Sequence, residues 1–180
     1  MTHPLAEYFA ALERIEEAAN VIFARRRADI ACRKGCASCC VDGLTVLSVE
    51  AAAIAMHLEE TGFANAPAPS PGGCAFLDAA GACTIYEARP VLCRTHGVPI
   101  RMSTSDDPER SRTSLRVLDN VSVCELNFRE RDAVPEDILD GERLAALLLV
   151  VEQRFRIQQG LPGPAERIPL RALLIHAGTA

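Results

Sequence analysis

Residues 32–40 read CRKGCASCC, and this stretch decides how the middle of the chain must fold. It holds four of the chain's eight cysteines. Three more follow in residues 74–93, CAFLDAAGACTIYEARPVLC, and the last is Cys124. A single core position is filled as well by Ala or Val as by Cys, so thiols at this density indicate metal ligation or disulfide bonds.

Composition favours metal over disulfides. The acidic, amphipathic N-terminal stretch has no apolar core of the secretory type, so we expect a cytoplasmic protein, and structural disulfides are rare in that reducing compartment. A net charge of -5 argues against a nucleic-acid partner. The longest apolar run, residues 145–151, is too short to span a bilayer, so no membrane partner is expected either.

We expect one domain over residues 1–180, with an N-terminal helix within 1–31, a cysteine-cluster region over 32–128 and a helical region over 129–180. Apolar periodicity predicts helices over residues 4 to about 28, 49–60 and 141–159, and a short helix or tail near 168–176. The predicted fold class is mainly α, a small α-rich α+β fold in which terminal helices pack around an irregular centre organised by metal.

Local signals refine this picture. Ser48 and Asp140 are the expected N-caps of the second and last long helices, and Gly62 is expected to end the second. Residues 74–86 are predicted to form a short β-hairpin that brings Cys74 near Cys83. Pro90 is expected to keep a helix from running into Cys93. Residues 65–73 and 103–112 read as loops, and residues 115–123 as a stretch that is extended or ambiguous.

All eight cysteines are predicted metal ligands, because thiolates prefer zinc and iron-sulfur clusters and four of them satisfy a tetrahedral site. The predicted ligands are Cys32, Cys36, Cys39, Cys40, Cys74, Cys83, Cys93 and Cys124. Eight thiols suit two four-sulfur sites, or one cluster with spare thiols. Both the number of centres and the choice between zinc and iron stay open at this point.

Nearby polar residues have expected supporting roles. Arg33, Arg89 and Arg94 flank the cysteines and are predicted to offset the negative charge of the thiolates without ligating the metal. His96 follows Cys93 at a spacing that allows ligation, although a polar neighbour of the site is the more common role for such a residue.

With these residues laid out, the chain resembles the YkgJ-type cysteine-cluster family, which is described as zinc- or iron-chelating with a C-x-x-C-x-x-C-C type signature. The matching stretches are CRKGCASCC at residues 32–40 and GACTIYEARPVLCR at residues 81–94. The first gap here is three residues, where the signature has two. The resemblance covers about residues 32–128 and implies metal chelation.

The expected function is therefore the binding of zinc or of iron, the latter including an iron-sulfur cluster, with a protein partner left open. Two alternatives stay open. The first is an iron-sulfur redox protein, or an accessory protein or enzyme in protein modification. The second is a thiol-based redox sensor. No catalytic triad, phosphate loop or dinucleotide fingerprint is present in the sequence, so no enzyme activity is assigned.

Overall fold

The computed structural model describes residues 3–62, 72–102, 115–118 and 120–176. The predicted loops at 65–73 and 103–112 therefore lie wholly or mostly outside the described residues. The α-helices are α1 (Ala6–Arg25), α2 (Ser48–Thr61), α3 (Val91–Thr95), α4 (Gly141–Gln158) and α5 (Leu173–His176). The strands are β1 (Thr45–Val46), β2 (Ile100–Arg101), β3 (Leu115–Leu118), β4 (Val121–Cys124), β5 (Leu139–Asp140) and β6 (Ile168–Pro169).

The three longest helices, α1, α2 and α4, pack together through apolar faces. Tyr8, Leu12 and Ile15 recur at three- and four-residue steps along α1 and are buried in this helical core. A Leu, Phe or Tyr side chain removed from water contributes about 1.5–3 kcal/mol, so this stripe is sufficient to fix α1 against its neighbours.

The strands form two small sheets. Four strands lie in the order β3-β4-β2-β5, antiparallel except for the parallel pair β2 and β5. Strand β1 pairs with β6 in the other sheet, with Val46 opposite Ile168. The small α-rich α+β fold predicted from the sequence is confirmed.

Several predicted elements differ in detail. The 115–123 stretch is a true hairpin of β3 and β4, joined through Asn120 in the left-handed region at φ 67°. The predicted 74–86 hairpin contains only an isolated bridge between Leu77 and Cys83 rather than two strands. Residues 168–169 form β6 rather than the start of the last short helix, because their backbone groups pair with β1.

One helix start differs from expectation. Ser48 is the first residue of α2 and not its cap; the Leu47 N–H instead donates to Oε2 of Glu50 at 3.0 Å. No helix passes through Arg89 and Pro90, as expected: a 3₁₀ turn ends at Ala88, and α3 begins anew after Pro90, whose missing N–H is not needed at the N-cap. The caps at Asp140 and Gly62 are confirmed, the latter with φ +64°, which glycine tolerates.

None of the described helices combines the length and the apolar character needed to cross a bilayer.

Candidate metal centre

The first cysteine group lies on two tight turns after α1. The helix ends at Arg25, so Cys32 does not continue it. The N–H of Cys36 donates to the carbonyl of Arg33 at 2.9 Å, and Gly35 takes φ +91° inside that turn. The N–H of Cys40 then donates to the Ala37 carbonyl at 3.0 Å. Only glycine adopts such a φ at little cost, which explains its place between the first two cysteines.

The second cysteine segment is attached to the first by its backbone. The N–H of Cys74 donates to the carbonyl of Cys40 at 2.9 Å. Beyond it, Oδ1 of Asp78 accepts from the N–H groups of Ala80 and Ala82, which closes a turn. The chain returns so that Cys83 bridges Leu77. The sequence prediction that Cys74 lies near Cys83 is therefore correct, although regular strands are not needed to achieve it.

Cys93 is presented by the short helix α3. Glu50, only 4% exposed, accepts from the N–H of Leu47 with one carboxylate oxygen and from the N–H of Val91 with the other, both at 3.0 Å. A single side chain thus satisfies free N–H groups at the starts of two helices, α2 and α3. Burial raises the pKa of Glu50, although both hydrogen bonds act to lower it.

One cavity of about 280 Å³ is lined by seven of the eight cysteines. It also touches Arg33, Arg89, Arg94 and His96. All eight cysteines are free thiols. The sequence-predicted ligands other than Cys124 therefore share one hollow in the described part of the chain.

Four of these thiols form what we call the first thiol set: Cys40, Cys74, Cys83 and Cys93. All four pack with one apolar cluster, the Phe76 cluster, which also includes Ile54, Phe76 and Ile85. Burial raises the pKa of Cys74 to about 11, with Cys40 and Cys83 adding to the rise. Burial likewise raises the pKa of Cys93, and the other three thiols of the set add to it. Sulfur atoms that repel each other's charge in this way favour a bound cation between them.

Cys32 and Cys124 are joined in a different part of the structure. Their thiols are hydrogen-bonded, which lowers the pKa of Cys124 to about 6 and raises that of Cys32. Asn127 is fully buried, and its Nδ2 lies 3.4 Å from the sulfur of Cys32. The same Nδ2 donates to the Gly97 carbonyl at 2.6 Å, while Oδ1 accepts from the N–H of Ala31 at 2.8 Å. One amide therefore links three segments that are remote in sequence.

Cys39 lies between these groups. Its thiol is hydrogen-bonded to Cys40, which lowers the pKa of Cys40 to about 7 and raises that of Cys39. Cys93 and Cys32 also raise the pKa of Cys39, so it is influenced by thiols of both regions.

The three arginines differ in their surroundings. Arg89 stacks on Tyr86 with its guanidinium carbon 3.7 Å from the ring centroid. Its charge acts to lower the pKa of Cys40, Cys83 and Cys93, against burial, which acts to raise the pKa of all three. Arg94 is paired with Glu16 and also donates to the carbonyls of Arg89 and Glu87. Arg33 lines the cavity.

His96 is buried at 7% exposure, and its Nε2 has no hydrogen-bond partner among the described residues. Burial lowers the pKa of its imidazole, so the neutral ring is favoured. Since the ring lines the cysteine cavity, it is placed beside the thiols as a neutral donor or acceptor.

The donor chemistry suits a thiophilic metal, but the side chains are not yet gathered around a point. No three His, Cys, Asp or Glu side chains of the described residues are arranged to hold one ion as they stand. Seven of the thiols share a cavity, so a metal bound there requires these side chains to rearrange around it. The residues therefore fit zinc or iron by ligand type and by neighbourhood.

Sequence reasoning missed two residues that position the site, Asn127 and Glu50. Both are buried polar side chains whose partners are backbone groups from other segments. Local spacing carries no sign of such contacts. The one available signal for Asn127 was its position three residues after Cys124.

Comparison with known families supports the site. Residues 31–114 match a family model described as "CxxCxxCC: Putative zinc- or iron-chelating domain". The match contains seven of the eight cysteines and stops before Cys124. No curated protein and no solved structure matches the chain significantly. The resemblance predicted from the cysteine motifs is confirmed: residues 31–114, which contain both motifs, match the model of this family.

Proposed function

We propose that this protein binds zinc or iron through thiolates that line the cysteine cavity, with the first thiol set as the principal ligands. The observation that carries the proposal is the cavity itself, in which seven cysteines from three separate segments meet. A core of this size needs no such concentration of thiols for packing, and the proposal is supported by the zinc- or iron-chelating description of the family model that matches residues 31–114.

The proposal accounts for the charged surroundings of the cavity. Four thiolates around a divalent ion leave about two excess negative charges by simple addition over the ligand types. Arg89 is held by its stack on Tyr86 and by a hydrogen bond from its Nε to the Tyr86 carbonyl at 2.9 Å, and its charge acts on three thiols of the first set. It is therefore placed to offset the excess negative charge.

When bound, the metal supplies a cross-link among distant segments of chain. The protein's own contribution is to hold the thiols close together and partly shielded from water. A reducing compartment, as expected for a cytoplasmic protein, is part of this proposal because the ligands must be free thiols.

The test is purification of the full chain without oxygen or chelator, followed by elemental analysis and a visible absorption spectrum. We expect zinc or iron in stoichiometric amount; iron with sulfide and a brown colour identifies a cluster and revives the redox alternative, whereas zinc in a colourless protein identifies a closed thiolate site. Cys83→Ser is expected to lower metal content and thermal stability together, since ligation and folding are coupled.

The matched control is Thr84→Ser, which changes the adjacent residue but keeps the hydroxyl that donates to the Phe76 carbonyl. The control is expected to retain its metal. A native protein without zinc or iron, and unable to take up either when reduced, would show that chelation is not its function.

A further inference from the structure

We infer that the eight cysteines form two separate four-thiolate centres, one made by the first thiol set and the other by Cys32, Cys36, Cys39 and Cys124. We call the latter the second thiol set. The inference rests on the proposed function and deepens it, because it fixes how many metal ions the chain holds and which thiols share each one.

The two sets lie against different apolar surroundings. The first thiol set packs with the Phe76 cluster. Cys32 lies instead beside Gly97. A Cβ placed on this glycine would be 2.8 Å from Cζ of Phe23 and 3.0 Å from Cβ of Cys32. Phe23 packs with Ala19 and Val98 in a separate cluster. The first thiol set and Cys32 of the second set therefore lie against different parts of the core.

The second set has its own polar support. Cys32 and Cys124 both contact Asn127. Asn127 donates to the Cys32 sulfur at 3.4 Å, and its own N–H donates to the Cys124 carbonyl at 2.9 Å. Asn127 therefore contacts both cysteines, Cys32 through its side-chain amide and Cys124 through its backbone N–H. Outer hydrogen bonds of this kind orient ligands and tune a metal site.

Cys36 and Cys39 complete the second set by their spacing. Two residues between thiols let both sulfurs reach one ion from a tight turn, and the turns at Arg33 and Ala37 supply that geometry. Cys40 follows Cys39 directly, but its carbonyl accepts from the N–H of Cys74, which commits it to the other segment. Because Cys39 and Cys40 are adjacent in the chain, the two centres are closest to each other at this pair.

The first experiment is an anaerobic titration of the reduced, metal-free full chain with Zn²⁺, with bound zinc measured after desalting. Two four-thiolate centres predict saturation at about two zinc ions per chain. The double variant Cys32→Ser/Cys124→Ser is expected to saturate at about one, and Cys74→Ser/Cys93→Ser also at about one. Saturation of the wild type at a single ion, or loss of all zinc from either variant, overturns the inference.

A second measurement needs no variant and so does not depend on how the variants fold. Wild-type protein loaded with one equivalent of Zn²⁺ is pulsed with an alkylating reagent, and each cysteine is scored by peptide mass spectrometry. We expect the four cysteines of one set to be protected from alkylation to the same extent. The adjacent residues Cys39 and Cys40 should each follow the set to which they belong. Uniform protection of all eight thiols contradicts the partition. If the reduced chain takes up neither Zn²⁺ nor, in a parallel sample, Fe²⁺, the proposed function fails rather than the partition.

Discussion

Replacing Asn127 by Ala is the sharpest test of how the cysteine region is held together. The side chain is fully buried and makes contacts to the Ala31 N–H, the Gly97 carbonyl and the Cys32 sulfur. Alanine reaches none of them. The substitution therefore leaves one backbone donor and one backbone acceptor without this partner.

The magnitude follows from those two groups. A buried polar group left unpaired costs about 1–3 kcal/mol, so the pair predicts a loss of about 2–6 kcal/mol in the free energy of unfolding. For a chain of this size each kcal/mol moves the midpoint of thermal unfolding by roughly 2–4 °C. Even the lower end of the range therefore gives a shift that is easily measured.

The assay is urea unfolding of the reduced, metal-free protein followed by circular dichroism, with Gln158→Ala as a control that removes an exposed amide from α4. The control should change the unfolding free energy by no more than about 0.5 kcal/mol. If Asn127→Ala is as stable as the control, Asn127 does not hold the three segments together and its role here is wrong.

Three further outcomes are expected, each measured by chemical denaturation of the metal-free, reduced protein. Glu50→Ala leaves two buried N–H groups unpaired and should cost about 2–6 kcal/mol, Glu50→Gln should cost less because one acceptor remains, and exposed Glu59→Ala should be near neutral. Gly97→Ala places a methyl against Phe23 and should cost about 1–3 kcal/mol, part of which a second substitution, Phe23→Leu, should recover. If the double variant loses the sum of the two single losses in stability, this contact is not the cause. Burial lowers the pKa of His96, so the native state binds fewer protons than the unfolded state, and stability should fall as pH drops below about 6.5; His96→Gln should flatten that dependence, and an unchanged slope argues against it.

The sequence predicts the parts of this fold that depend on local order. The stripe of Tyr8, Leu12 and Ile15 predicts α1, and Asp140 marks the start of α4 because an N-cap is a local signal. Pro90 acts in the same local way, since proline disfavours the helical region in the residue before it and suits the start of a new helix, and both effects occur here. The sequence does not reveal the contact that supports the start of α3, in which Glu50, 41 residues away, accepts from the Val91 N–H.

The candidate site likewise has features that the sequence predicts and features that it does not. The tight turn that carries Cys36 is evident from Gly35, and the approach of Cys74 to Cys83 is evident from the turn between them. The link between Cys32 and Cys124 is not, since it depends on a four-stranded sheet with a parallel pair and on one buried amide. Long-range pairings of this kind leave no periodic trace in a sequence.

The distance along the chain between Cys32 and Cys124 also bears on how the protein is made. Because synthesis proceeds from the N-terminus, Cys40, Cys74, Cys83 and Cys93 leave the ribosome before Cys124 and Asn127 do. The thiols that gather around Phe76 are thus available to capture an ion while β4 is still being translated. The pair of Cys32 and Cys124 forms only after the long chain between them has been made and has closed, so the order of synthesis places the gathering of the first thiol set before that of this pair.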